Sequence, residues 1–163
     1  MIVQRLIGGL VCGLSVLAGS RAQSPAPQPV RWQASIAANT PVKAGAGATI
    51  DLTGHVDEGW HVYALNEPSG GPIPLRIALD ENRVAHIVGQ IGGTVPVKKH
   101  DESFALETEL YLSDFTLHVP VEVGQSAAGR QTIPLNVRFQ ACNDRICLPP
   151  RTVHLSAAVE VAP

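Results

Sequence analysis

Cys142 and Cys147 are the residues whose type and spacing most plainly offer chemistry. Four residues separate them in the run Phe139-Gln140-Ala141-Cys142-Asn143-Asp144-Arg145-Ile146-Cys147-Leu148-Pro149-Pro150. A strand-like alternation ends at the first cysteine and another begins after Pro150. The pair is therefore expected to bracket a tight connection between neighbouring strands, with its Cα atoms about 4.4–6.8 Å apart as a disulfide requires. Three chemistries stay open: a structural staple, a reversible thiol–disulfide couple, and a metal site. As a staple, a ring of about six residues contributes roughly 2 kcal/mol in the chain-entropy model, against ~4.7 for a 100-residue loop. It would also join strands that a ladder already holds. A short ring at a strand end suits a bond meant to open and close. Arg145 would favour a thiolate at either sulfur and Asp144 would oppose it. Zinc or copper would need further ligands such as His100, His118 or His154, and their spacing does not bring them together. No metal and no cofactor is expected.

The start of the chain sets the compartment. Met1 to Arg5 carries one positive charge and no acid, Leu6 to Gly19 is apolar or small throughout, and Ser20-Arg21-Ala22 places small residues before a cut after Ala22. This is the layout of a secretory signal peptide over residues 1–22. Its apolar run is short of the ~20 residues an uncleaved anchor needs. Removal takes away Cys12 and leaves an even pair of cysteines in a disulfide-permissive compartment. The mature chain is expected to be periplasmic and monomeric, with no membrane span. A net charge of −2, from 12 Lys+Arg against 14 Asp+Glu, excludes a polybasic nucleic-acid binder.

Residues 23–29 (QSPAPQP) read as a flexible Pro-rich leader, and residues 30–163 as one domain. With 45% hydrophobic and 16% charged residues, disorder is excluded. Apolar residues alternate over Ile50–Val56, Phe115–Val123 and Leu135–Ala141. Weaker alternations cover Val30–Ile36, Trp60–Leu65, Ile73–Leu79, Val84–Val88 and Val153–Val161. Turn signals such as Pro68–Pro72 and Gly92-Gly93 separate them. The pattern predicts an all-β, immunoglobulin-like antiparallel β-sandwich. Pro120 and Pro134, inside strand patterns, are expected at edges or strand starts. Trp32 and Trp60 are assigned to the core. His61, His86 and His118 show no paired geometry and are read as surface or core histidines.

From about Trp32 to Val161 the chain resembles the N-terminal periplasmic domain of the bacterial thiol:disulfide interchange protein DsbD. The most specific stretch is Phe139-Gln140-Ala141-Cys142 with Cys147-Leu148-Pro149-Pro150, although the cysteines stand one residue closer than in the best-known members. Gly59-Trp60-His61-Val62-Tyr63 with Gly70-Gly71-Pro72-Ile73-Pro74 matches the family's aromatic strand and Gly-Pro loop. His100-Asp101-Glu102-Ser103-Phe104, then Glu109-Leu110-Tyr111, matches its acidic-aromatic cap loop and the strand behind it.

The resemblance implies an immunoglobulin-like domain whose Cys142–Cys147 pair cycles between dithiol and disulfide. It would relay electrons between thioredoxin-fold periplasmic partners. It implies Phe104 as the lid and Asp101 and Glu102 as acids near the sulfurs; Tyr63 and Tyr111 are expected either beside the pair or in the sandwich core. Cys142 is taken as the sulfur that joins the partner and Cys147 as the resolver. The full family protein continues into a multi-helix membrane domain and a thioredoxin-like domain, so electrons are expected to come from another protein. The alternative is a non-catalytic immunoglobulin-like binding module with a structural disulfide.

Overall fold

The computed structural model describes residues 27–37, 41–81 and 83–162, and the expected signal peptide and residues 23–26 of the leader lie outside them. Alternating apolar residues build two sheets. In the first, β1 (Val30–Ile36), β3 (Gly47–Val56), β10 (Phe115–Val123) and β6 (Ala85–Ile87) lie in that order. In the second the order is β2 (Val42–Lys43), β13 (Arg151–Ala162), β11 (Gly129–Phe139) and β5 (Arg76–Leu79). Pairing is antiparallel except between β2 and β13. Every second residue points inward: Ile50 and Leu52 from β3, Val119, Val121 and Val123 from β10, and Ile133, Leu135 and Val137 from β11 are all fully buried. At roughly 1.5–3 kcal/mol for each such side chain, this shared core dominates the stability of the sandwich. Trp32 and Trp60 are half-buried and pack against it. Chain packing begins ahead of β1, because Pro29 is buried and its carbonyl accepts from Asp57 N–H at 2.8 Å.

The two prolines sit inside strands, not at their starts. Pro120 pairs with Thr49 in the middle of β10, and Pro134 with Ser156 in the middle of β11. Each occupies a place where the neighbour on its other side has run out. Pro120 C=O accepts from Val88 just past the end of β6, and Pro134 C=O accepts from Asp80 just past the end of β5. In an antiparallel strand a residue's N and O face the same side, so each missing N–H falls where the short neighbouring strand ends, and only the terminal bond of that ladder is forgone.

Gly92-Gly93 is likewise a short strand, β7, paired with Leu117 and His118 of β10, where the sequence reads as a turn. The glycines serve close approach here. A Cβ on Gly93 would lie 2.3 Å from Thr116 O, and φ there is 125°. Gly54 in β3 similarly leaves room for the Phe115 ring, which would stand 2.6 Å from an added Cβ.

A third, smaller sheet carries the chemistry: β12 (Ala141–Cys142), β4 (His61–Tyr63), β9 (Leu106–Tyr111) and β8 (Val97–Asp101), in that order. Gln140 alone separates β12 from β11, so one run of chain passes from the sandwich core into the site sheet. Gly93→Ala is expected to destabilise the domain by on the order of 2 kcal/mol in urea denaturation, because both the contact and the φ oppose a side chain. An unchanged midpoint would show that β7 does not need this close approach.

Candidate active site

The pairing of β12 with β4 sets Ala141 opposite Val62 and Cys142 opposite His61. Ala141 and Val62 are buried in the main core. The next residue along must face the other way, so Cys142 joins a separate small cluster with Tyr63 and Leu110, against which Phe104 packs. The chain then turns back on itself. Asn143 Oδ1 accepts from the N–H groups of Arg145 and Ile146, both at 2.9 Å, and Asn143 N–H donates to Ile146 C=O. Leu148 N–H donates to Ala141 C=O, and Gln140 Nε2 donates to Leu148 C=O. This clasp places Cys147 directly across an antiparallel bridge from Cys142. The two are disulfide-bonded with Cα atoms 4.0 Å apart, slightly closer than expected.

The two sulfur-bearing residues differ sharply in access. Cys142 is 1% exposed, whereas Cys147 lies in an exposed turn beside Ile146, itself 53% exposed. Both line a cleft of about 220 Å³ together with His61, Tyr63, Asp101 and Glu102.

The cap is the turn of the β8–β9 hairpin, residues 102–105, tied down by Asp101. Asp101 Oδ1 accepts from Ser103 N–H at 2.9 Å, Oδ2 accepts from the Tyr63 hydroxyl at 2.7 Å, and its carbonyl accepts from Phe104 N–H. Ala105 turns the chain at φ 53°, a left-handed conformation unusual for a residue with a Cβ. The Phe104 ring meets Tyr63 edge-on with centroids 6.3 Å apart. Behind the cap, Thr108 is buried and donates to Lys99 C=O, pinning one strand of the hairpin to the other.

The electrostatics follow from these contacts. Partial burial pushes the Asp101 carboxyl up, but the hydrogen bonds from Tyr63 and from the Ser103 and Phe104 N–H groups outweigh it and hold the group below its ordinary value. The same bond works in reverse on Tyr63. Burial, then the bond to Asp101, pushes its phenol well above the ordinary range, so it remains a proton donor. His61 is pulled down by burial, with Lys99 adding to that and Asp101 and Asp144 opposing it.

Most of the expected site residues therefore meet: Cys142, Cys147, Asp101, Glu102 and Tyr63 line one cleft, and Phe104 packs from the hairpin turn against the cluster of Tyr63, Leu110 and Cys142. Tyr111 does not join them. It pairs with Val62, whose face is the core, and stacks on Phe115 with ring centroids 3.9 Å apart. Its neighbour Leu110, opposite Tyr63, takes the place beside the pair. His61, read from sequence as an ordinary histidine, stands opposite Cys142 and lines the cleft. The available signal was parity, since His61 lies two residues from Tyr63 and so on the same strand face. Among the described residues no group of three or more His, Cys, Asp or Glu is placed to hold a metal ion.

The family model described as Thiol:disulfide interchange protein DsbD, N-terminal, matches residues 27–158. No curated protein sequence matches the chain. Among solved structures it is similar to the DsbD N-terminal domain of Neisseria meningitidis in the reduced form, with TM-score 0.48, 16% identity, and 69% of this chain and 78% of that one covered. It is similar to the Neisseria complex of the DsbD and PilB N-terminal domains, with TM-score 0.48, 15% identity, and coverage of 83% and 88%. It is also similar to the N-terminal periplasmic domain of ScsB from Proteus mirabilis, with TM-score 0.54, 14% identity, and coverage of 83% of this chain and 48% of that one. The last likeness concerns the fold.

Asp101 makes acid stability a readout of the cap. Its carboxyl titrates below the ordinary 3.8, so its bonds stabilise the fold above that pH and are lost as pH falls through the lower folded value. The stability gap between the wild type and Asp101→Asn in urea denaturation is expected to be full above pH 3.8 and to narrow below it. A gap independent of pH would mean that Asp101 holds the cap without its charge.

Proposed function

The chain belongs to the DsbD N-terminal family, and on that premise we propose that it is an exported, periplasmic thiol–disulfide exchange protein. It relays electrons between thioredoxin-fold partners through the Cys142–Cys147 pair. The observation that carries this reading is the asymmetry of the disulfide, with one sulfur-bearing residue in the open turn and the other beneath a cap that hangs from a single hairpin. A staple serves best with both sulfurs in fixed core. A reactive bond needs one accessible sulfur and a leaving group whose surroundings can be rearranged.

The unequal exposure of the pair supports roles opposite to those expected from sequence. A partner's thiolate attacks Cys147 Sγ, and a partner–Cys147 disulfide forms. The Cys142–Cys147 bond breaks, and its electron pair leaves with Cys142 Sγ. The partner's second thiol then attacks the partner's own sulfur and releases Cys147. The partner has become a disulfide, and this domain holds two thiols and the two electrons. Passing them on runs the same steps backwards with an oxidised acceptor. Asp101 and Glu102 disfavour a thiolate in the cleft, which keeps the reduced pair from spending its electrons on chance oxidants. Phe104 keeps water from Cys142 until a docking surface displaces it.

Cys142→Ser is expected to accumulate a mixed disulfide between Cys147 and a thioredoxin-fold protein, visible on non-reducing gels and by mass spectrometry. Cys147→Ser is expected to trap little. Equal trapping by the two variants would remove the assignment of Cys147 as the attacked sulfur, and no adduct from either would remove the carrier reading. Phe104→Ala is expected to speed reduction by dithiothreitol several-fold, because the leaving Cys142 thiolate becomes hydrated. Its cost in stability should be about 1–2 kcal/mol, below that of a fully buried Phe. Unfolding, or an unchanged rate, would make Phe104 a core residue and not a lid.

A further inference from the structure

We infer that His61 is the proton-transfer residue of the disulfide, giving a proton to Cys142 when the bond opens and taking it back when the bond closes. The inference rests on the thiol–disulfide exchange reading and names a group that the family resemblance leaves without a role.

Four observations converge on the ring. His61 lies directly opposite Cys142 in the β4–β12 ladder, and opposed residues of an antiparallel pair share a face with Cβ atoms about 4.5–5.5 Å apart. It lines the same cleft as both cysteines. Its position is held, since the ring meets Tyr63 edge-on at 5.2 Å. Its Nε2 is buried and has no hydrogen-bond partner among the described residues. An unpaired polar atom of this kind costs stability unless some state of the protein uses it. The state that would use it is the one in which Cys142 carries charge.

The chemistry makes the need explicit. When a thiolate attacks Cys147, the negative charge lands on Cys142, the least exposed residue lining the cleft. A thiolate that buried needs a cation or a proton. Lys99 and the two acids, Asp101 and Asp144, act on His61 from β8 and from the turn, and His100 and Glu102 complete the charged lining of the cleft. Tyr63 is already committed to Asp101. With the disulfide closed, burial holds the imidazole mostly neutral near pH 7. As charge develops on Cys142, a proton from water becomes favourable on the ring, and the imidazolium passes it to the sulfur. In the reverse direction neutral His61 accepts the Cys142 proton and leaves the thiolate that re-forms the bond. The two protons arriving on the cysteines match the two that leave the partner's thiols, so the exchange is balanced.

Reduction of the wild type, His61→Phe and His61→Gln by dithiothreitol, followed across pH and corrected for the dithiothreitol thiolate present, tests this. The wild-type rate is expected to fall as pH rises through an inflection below 6.5, the ordinary histidine value. Both variants should lose the inflection and run at least about tenfold slower at its acid side, in keeping with general acid catalysis. His61→Gln keeps a polar ring-sized group, so a variant that merely packs badly is separated from one that cannot carry a proton. Histidine NMR titrations of the wild type give an independent readout. In the oxidised protein the His61 signal is expected to titrate at the pH of the kinetic inflection. Variants with the wild-type profile, or a His61 titration that does not coincide with the kinetic inflection, would overturn the inference. A wild type that shows the inflection with dithiothreitol but exchanges with no thioredoxin-fold dithiol would count against the carrier reading alone.

Discussion

Two residues of backbone pairing, Ala141–Cys142 against Val62–His61, determine what the cysteine pair can be. Side chains alternate along a strand, so this register alone sends Ala141 into the sandwich core and Cys142 into the site cluster. A slip of one residue would bury the sulfur in the core and leave the cleft lined by a methyl group. The register is secured from both ends. Upstream, β11 is held along its length by β13, and only Gln140 intervenes before β12. Downstream, Gln140 and Ala141 clasp Leu148, which closes the turn and hands Cys147 to the solvent. The unequal exposure of the two sulfur-bearing residues is thus a consequence of topology, not of a few chance contacts.

Upon that frame the cap and the charges form one system. Asp101 is at once the anchor of the cap turn, the acceptor for Tyr63 and a negative charge on the wall of the cleft. Lifting the cap therefore disturbs the Asp101–Tyr63 bond and the cover that Phe104 and Tyr63 give to Cys142 together. In the proposed role, a docking partner that displaced Phe104 would change solvent access and electrostatics in a single motion, and the carboxylates of the cleft would lose part of their hold on the thiols. His61 lies on the fixed strand below, in β4, and so stays opposite Cys142 whichever way the cap stands.

Much of this was readable in the chain itself. β10 spans the residues that the alternation from Phe115 to Val123 predicts, β13 extends its pattern at both ends, and β11 begins six residues before its pattern and ends at Phe139, with β12 taking up Ala141. The cysteine run and residues of the acidic-aromatic loop, both singled out in sequence, meet at one cleft. What escaped the sequence has physical causes. β8 is exposed from Val97 to His100, so it has no buried face to impose an alternation. β7 is two glycines whose role is to let backbones approach, and that looks like a turn in one dimension. Tyr111 and Leu110 differ only in which face of β9 they occupy, and the face is set by pairing with β4, which no local pattern records. The same missing register hid His61 from Cys142. The unequal exposure of the two cysteines was equally invisible, because exposure belongs to the folded turn.

The equilibrium reduction potential of the Cys142–Cys147 couple addresses the central claim most directly. Poising the purified domain in glutathione or dithiothreitol buffers and quantifying free thiols gives the value. A bond built to open and close should lie above about −300 mV, within reach of periplasmic thioredoxin-fold couples. A value well below about −300 mV would mark an inert structural disulfide and contradict a carrier role for this site.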